Sequence, residues 1–172
     1  MGDEPPTKER VIVSNTGPLL HLSEIGRLEW LTLRGRVYVP VQIHQELHEI
    51  AQMVTLCEGI ETVVPTQQVS TQAQKWGEAG YLHQREAMAI ALAQEMQCDW
   101  FFTDDTEARL FAESLGLEVH GSLGIVIACA SLGFVRTTEA EEAVLNLHRS
   151  SSLWLSERVV KLALDALQRL SQ

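Results

Sequence analysis

Cysteine is scarce, and its few copies are poorly placed for cross-linking. The three residues, Cys57, Cys98 and Cys129, are far apart, odd in number and form no CxxC pair. No disulfide framework follows from them, and a reducing compartment, the cytoplasm, is the expected location. Each thiol reads as a small buried hydrophobe. Long apolar runs are also missing: no stretch reaches the ~18 residues that span a membrane. Residues 1–9 are polar, contain Pro5 and Pro6, and lack the apolar segment of a signal peptide, so a frayed lead-in is expected there. Cations are few, with 13 Lys and Arg against 23 Asp and Glu, a formal net charge of −10. Such a balance argues against broad electrostatic capture of nucleic acid. It does not exclude a nucleic-acid enzyme, because carboxylates that hold divalent cations contribute to it. No GxGxxG, GxxxxGK[ST] or GxSxG occurs. Dinucleotide, P-loop and nucleophile-elbow readings therefore have no anchor.

What is present is the balance of a globular chain, 45% hydrophobic and 21% charged. Short apolar runs at Val11-Ile12-Val13, Val37-Tyr38-Val39, residues 61–64, Trp100-Phe101-Phe102-Thr103 and residues 117–120 read as strands. Helical patterns lie between them: a short one after Thr16-Gly17-Pro18, with Thr16 as a cap, then residues 41–50, 82–96 and 106–115. Residues 69–80 are polar and ambiguous. Residues 123–132 are almost wholly apolar, which predicts a buried helix stopped by Gly133. Alternating strands and helices predict an α/β fold with a mostly parallel sheet covered on both faces. Two amphipathic helices, over 138–148 and 156–170, predict a C-terminal hairpin. In the second, Val159, Val160, Ala163, Ala166, Leu167 and Leu170 share one stripe. The expected organisation is a lead over 1–9, a domain over 10–136 and a helical extension over 137–172 packed on it.

Function is sought where acids break the local pattern. At 100° per residue, Glu86 falls among Leu82, Ala89, Ala93 and Met96, in the stripe expected to face the core. A lone buried carboxylate is costly unless it is paired or binds a metal. The alternative is a helix that turns Ala87, Ile90 and Ala91 inward instead. Asp104 and Asp105 directly follow a strand, at the edge where open α/β sheets place ligands. One of them suits the N-cap of the next helix; two are more than a cap needs. Asn15 follows the first strand and would share that edge, although alone it is an ordinary turn residue. Glu46 lies in His44-Gln45-Glu46-Leu47-His48, an HxExH order unlike the HExxH of zinc proteases, so exposed helix histidines are the expected reading.

Together these residues resemble the PIN-domain family. Val11 through Leu20 with Ile25-Gly26-Arg27-Leu28 is similar to the family's opening, and Val37-Tyr38-Val39-Pro40 leading into Gln45-Glu46-Leu47 to its second unit. Arg85-Glu86-Ala87 with the alanine-rich run to Ala93, and Phe102-Thr103-Asp104-Asp105 with Ala108-Arg109, continue the match. Gly121-Ser122-Leu123-Gly124 resembles the glycine turn of a branch related to VapC toxins of toxin–antitoxin pairs. The resemblance implies a three-layer α/β/α fold with an acidic quartet at one sheet edge. It places Glu46, Glu86 and Asp105 in that quartet, with Asp104 beside them and Asn15 where Asp is usual. It also implies Mg²⁺ or Mn²⁺, hydrolysis of RNA phosphodiesters, a small antitoxin partner and homodimerisation. Asp105 and Glu86 are then the principal metal ligands, with Glu46, Asp104 and Asn15 secondary. Ser14, Thr16, Arg85 and Arg109 are candidates for phosphate contact. Asn15 removes one negative charge, and Arg85 stands where the family commonly has Gly. Both favour the alternative of a catalytically weak module that binds RNA or a protein partner.

Overall fold

In a computed structural model, residues 9–52 and 54–171 are described, so most of the expected polar lead, residues 1–8, lies outside the described residues. Strand β1 (Arg10–Ser14) is central, with Ile12 and Val13 wholly buried. Strand β2 (Gly35–Pro40) pairs with one edge of β1, Ile12 opposite Val37; β4 (Trp100–Phe102) pairs with the other, Ile12 opposite Trp100. Strand β3 (Ile60–Val63) extends the sheet beyond β2 and β5 (Val119–His120) beyond β4, all parallel, in the order β3-β2-β1-β4-β5. All three residues of β4 are buried apolar side chains, because a central parallel strand is covered on both faces.

Strand order reverses at β1. The chain grows outward through β2 and β3, then returns to place β4 on the other side of β1. Such a reversal opens a crevice at the carboxyl ends of the two central strands, where open α/β sheets take their ligands. Asn15 leaves one lip of this crevice and Thr103-Asp104-Asp105 the other.

The flanking helices are α1 (Thr16–Glu24), α2 (Val41–Ile50), α3 (Gln67–Glu78), α4 (Gln84–Glu95), α5 (Thr106–Ser114), α6 (Ser122–Ser131), α7 (Thr137–Ser150) and α8 (Glu157–Leu170), with a 3₁₀ turn over Leu28–Thr32. They cover both faces of the sheet, a three-layer α/β/α arrangement. Helix α4 is central: every residue from Ala87 to Ala93 is buried. Its four alanines let it pack closely against β1, β2 and α3. Fully buried Ile90 and Leu92 contribute about 1.5–3 kcal/mol each by leaving water.

Four local expectations change. The ambiguous stretch 69–80 is helix α3, capped by Thr66 and buried through Val69 and Ala73. These two apolar residues sit one turn apart, too few to stand out in a polar sequence. Thr16 is the first residue of α1 and not its cap; Asn15 takes the N-cap position without a side-chain bond. Helix α6 is not buried all round: only Ser122, Ile125, Val126 and Cys129 are, because α7 and α8 cover one side of it. Helix α8 buries Val160, Ala163 and Leu167, while Val159 and Leu170, at the margins of its stripe, stay exposed.

Candidate functional site

The crevice begins with Asn15, whose backbone N–H donates to Phe102 O at 2.8 Å and so extends the β1–β4 pairing. Its side-chain amide donates to Thr103 Oγ1 at 3.3 Å. The same hydroxyl oxygen accepts the Asp105 N–H at 3.2 Å. Thr103 is fully buried and therefore sets the spacing of the two lips. Reading the sequence missed it, because a threonine at a strand end carries no distinguishing signal.

Asp105 caps α5 as expected, Oδ1 accepting from Ala108 N at 2.7 Å. Glu86 lies in the first turn of α4, where Oε2 accepts the His83 N–H at 3.0 Å. It is half-buried in the first turn, on the face that continues through buried Ala89 and Ala93. The alternative face, with Ala87, Ile90 and Ala91, is buried as well, so α4 has no exposed side from Ala87 to Ala93. Burial pushes the Glu86 carboxyl above the usual range, and the nearby charges of Asp105 and Glu46 push the same way against the favourable pull of His83. One oxygen of Glu86 and one of Asp105 have no hydrogen-bond partner among the described residues. The side-chain oxygen of Asn15 is equally free.

Asp104 is differently placed. Its Oδ1 accepts Ser122 N at 2.7 Å, and its Oδ2 takes the Ser122 hydroxyl and His21 Nδ1, the latter at 2.7 Å. Two glycines make room for this. A Cβ on Gly121 would stand 2.8 Å from Asp104 Oδ1 and 2.9 Å from Arg109 Nη2, and one on Gly17 would stand 3.3 Å from Asp104 Oδ2. Asp104 thus ties the β4 edge to α1 and to the start of α6. His21, which also lines the crevice, was not singled out from the sequence. Its signal there is a polar ring inside the apolar run Leu19-Leu20-His21-Leu22.

Glu46 reaches the crevice from α2, accepting from Thr16 Oγ1 and pairing with Arg85 Nη1 at 2.9 Å. Arg85 leans on Glu49 as well, at 3.7 Å. Ser14 is buried and donates to Asn15 O, away from the crevice. Arg109 does not line the crevice either. It stretches 3.4 Å to the carbonyls of Thr103 and Val119 and lines a neighbouring hollow. Helix geometry sets this, since one turn into α5 the side chain points back along the β4–β5 edge.

These groups open into a cleft of about 860 Å³. Among the described residues, no three His, Cys, Asp or Glu side chains form a group able to hold a metal ion. The donors that remain free are two carboxylate oxygens and one amide oxygen. That set suits a hard cation held by one or two carboxylates and otherwise by water and phosphate, the habit of Mg²⁺. It would also relieve the repulsion between Glu86 and Asp105. Glu46 and Asp104 are already engaged by protein partners.

Among curated proteins, nothing matches the chain. A family model described as a PIN domain matches residues 11–169, from β1 into the last turn of α8. That span covers nearly the whole chain and agrees with the parallel sheet and its strand order. The chain belongs to the PIN-domain family.

Proposed function

We propose that the cleft hydrolyses RNA phosphodiesters with the help of one bound Mg²⁺ or Mn²⁺. The observation that carries this reading is the convergence of Glu86 and Asp105 at the β1–β4 crevice, each with a free oxygen, where burial and the nearby Asp105 charge raise the cost of charge on Glu86. These two carboxylates, with the Asn15 carbonyl, would hold the ion. When bound, such an ion acidifies a water molecule and offsets charge growing on the phosphate. The protein's own residues do the rest. Thr103 sets the separation of Asn15 and Asp105, and Asp104 locks the α6 side so that the lips do not drift. Arg85, on the rim, meets the anionic backbone once Glu46 releases it.

In the setting of a toxin, a short basic segment of an antitoxin protein would occupy the same acidic cleft and compete with RNA. A second reading is favoured by a separate observation. The Glu46–Arg85 ion pair and the full engagement of Asp104 leave only two acids free, which suits a module that binds RNA or a partner without turnover.

Calorimetric titration of Mn²⁺ into wild type and Asp105→Asn decides between them. Asparagine also caps helices, so the variant keeps the fold and loses the charge. Binding in wild type that vanishes in the variant, with Mn²⁺-dependent cleavage of an RNA oligonucleotide, supports the nuclease. No binding at millimolar Mn²⁺ sinks it and leaves the binding module.

A further inference from the structure

Trp154 lies in the non-helical link between α7 and α8 and is 83% exposed. A single exposed aromatic is ordinary on a protein surface, but this one is held out. Glu24, at the end of α1, accepts the Ser152 N–H at 2.7 Å and the Ser152 hydroxyl at 3.0 Å. Ser151 Oγ accepts the Leu153 N–H, and Ser156 caps α8 through Val159 N. Leu153 and Leu155 pack against the core on either side. Leu153 and Leu155 are half-buried and Trp154 between them is exposed, the alternation an extended segment gives. The link is therefore anchored on both sides of the exposed indole.

Its position gives that exposure a use. Trp154 lines the carboxylate cleft and also the adjoining hollow of about 360 Å³, where Arg109 and His120 lie. A ligand running from one depression to the other passes over the indole. A strand of nucleic acid offers a flat face every nucleotide, and stacking needs no base sequence. It also needs no cation, which matters on a chain of net charge −10.

We infer that Trp154 is a stacking platform for an unpaired base of single-stranded RNA next to the carboxylate cleft, with Arg109 and His120 facing the adjoining nucleotide. The inference rests on the nucleic-acid reading of the cleft. It makes the substrate single-stranded, because bases within a duplex do not offer their faces.

The test is equilibrium binding of a fluorescein-labelled RNA octamer of mixed sequence to the full chain in EDTA, where no metal-dependent cleavage occurs. Binding that weakens by at least about fivefold in Trp154→Ala, and stays within about twofold in Trp154→Phe, is the expected result. Equal binding by wild type and Trp154→Ala overturns the inference, as does a wild type that fails to bind the octamer. A Trp154→Ala variant that binds RNA normally but shifts from dimer to monomer in sedimentation also overturns it, assigning the indole to a contact between two copies. Because cleavage with Mn²⁺ is measured separately, loss of the platform and loss of the nuclease reading remain distinct outcomes.

Discussion

On the α6 side of the cleft, Asp104 accepts a backbone N–H, a serine hydroxyl and an imidazole, and two glycines clear space for it. On the α4 side, Glu86 and Asp105 each accept a single helix-capping N–H, keep one oxygen free, and line the same cleft. The acids are alike in type, and two of them are adjacent in sequence. Their surroundings make the first wall architecture and leave the second available for chemistry. A carboxylate at a sheet edge is thus informative only once its partners are counted. One that is fully hydrogen-bonded holds elements together, and one that is half satisfied beside another negative charge has something left to bind.

The contrast is most severely broken at Asp104. Asp104→Ala leaves the His21 ring and the Ser122 N–H without their acceptor in a largely buried place. The expected loss is about 1–3 kcal/mol of unfolding free energy for each donor left unsatisfied, read by urea denaturation. Asp104→Asn, which keeps shape and one acceptor, should lose less. Gly121→Ala attacks the same wall by sterics. The new methyl meets an oxygen that Ser122 N already pins, so the clash cannot be relieved by rotation, and a loss of about 1–3 kcal/mol is expected in the same assay.

Across the cleft the effects shrink. Asp105→Ala should cost about 1 kcal/mol through loss of the α5 cap, while Asp105→Asn retains most of it. If Asp105→Asn destabilised as much as Asp104→Ala, the division between the two walls would fail. Glu86→Gln should have the opposite sign. Its carboxyl is raised above the ordinary 4.5 in the fold. Below that ordinary value both folded and unfolded states are protonated, and Glu86 costs nothing in charge. As pH rises, the unfolded chain ionises first, and the penalty grows until pH passes the folded value. Glutamine also serves at this position of a capping box. In metal-free buffer the variant should therefore melt slightly above wild type at pH 7, and the gain should fade towards pH 4.

Much of the fold could be read from the chain. The apolar runs, the alanine-rich helix and Gly116 and Gly133, both at positive φ, gave elements within a few residues of those observed. The misses concern coverage, because how many sides of a helix are packed against neighbours is not written in its local pattern. Helix α4 has no exposed residue from Ala87 to Ala93, so its pattern did not single out one inward face, and Glu86 ends half-buried in the first turn. Helix α6 looked wholly buried because its apolar residues outnumber the neighbours that cover it. Asp104 and Asp105 could not be told apart, since adjacency in sequence says nothing about which carboxylate turns toward Ser122.

By itself the sequence determined the alternation of strand and helix, the parallel sheet that follows from it, and the delivery of acids to strand and helix ends. Those properties depend on local propensity and on hydrophobic pattern, which are written residue by residue. Only the tertiary structure decided which acids are engaged and which are free, that His21 and Thr103 belong to the crevice, and that Trp154 stands at its rim. Each of these depends on partners far away in the chain: Asp104 meets a histidine 83 residues earlier, and Ser152 is held by a glutamate 128 residues earlier. Local sequence patterns do not report such distances, because the packing of the sheet and its helices brings these residues together.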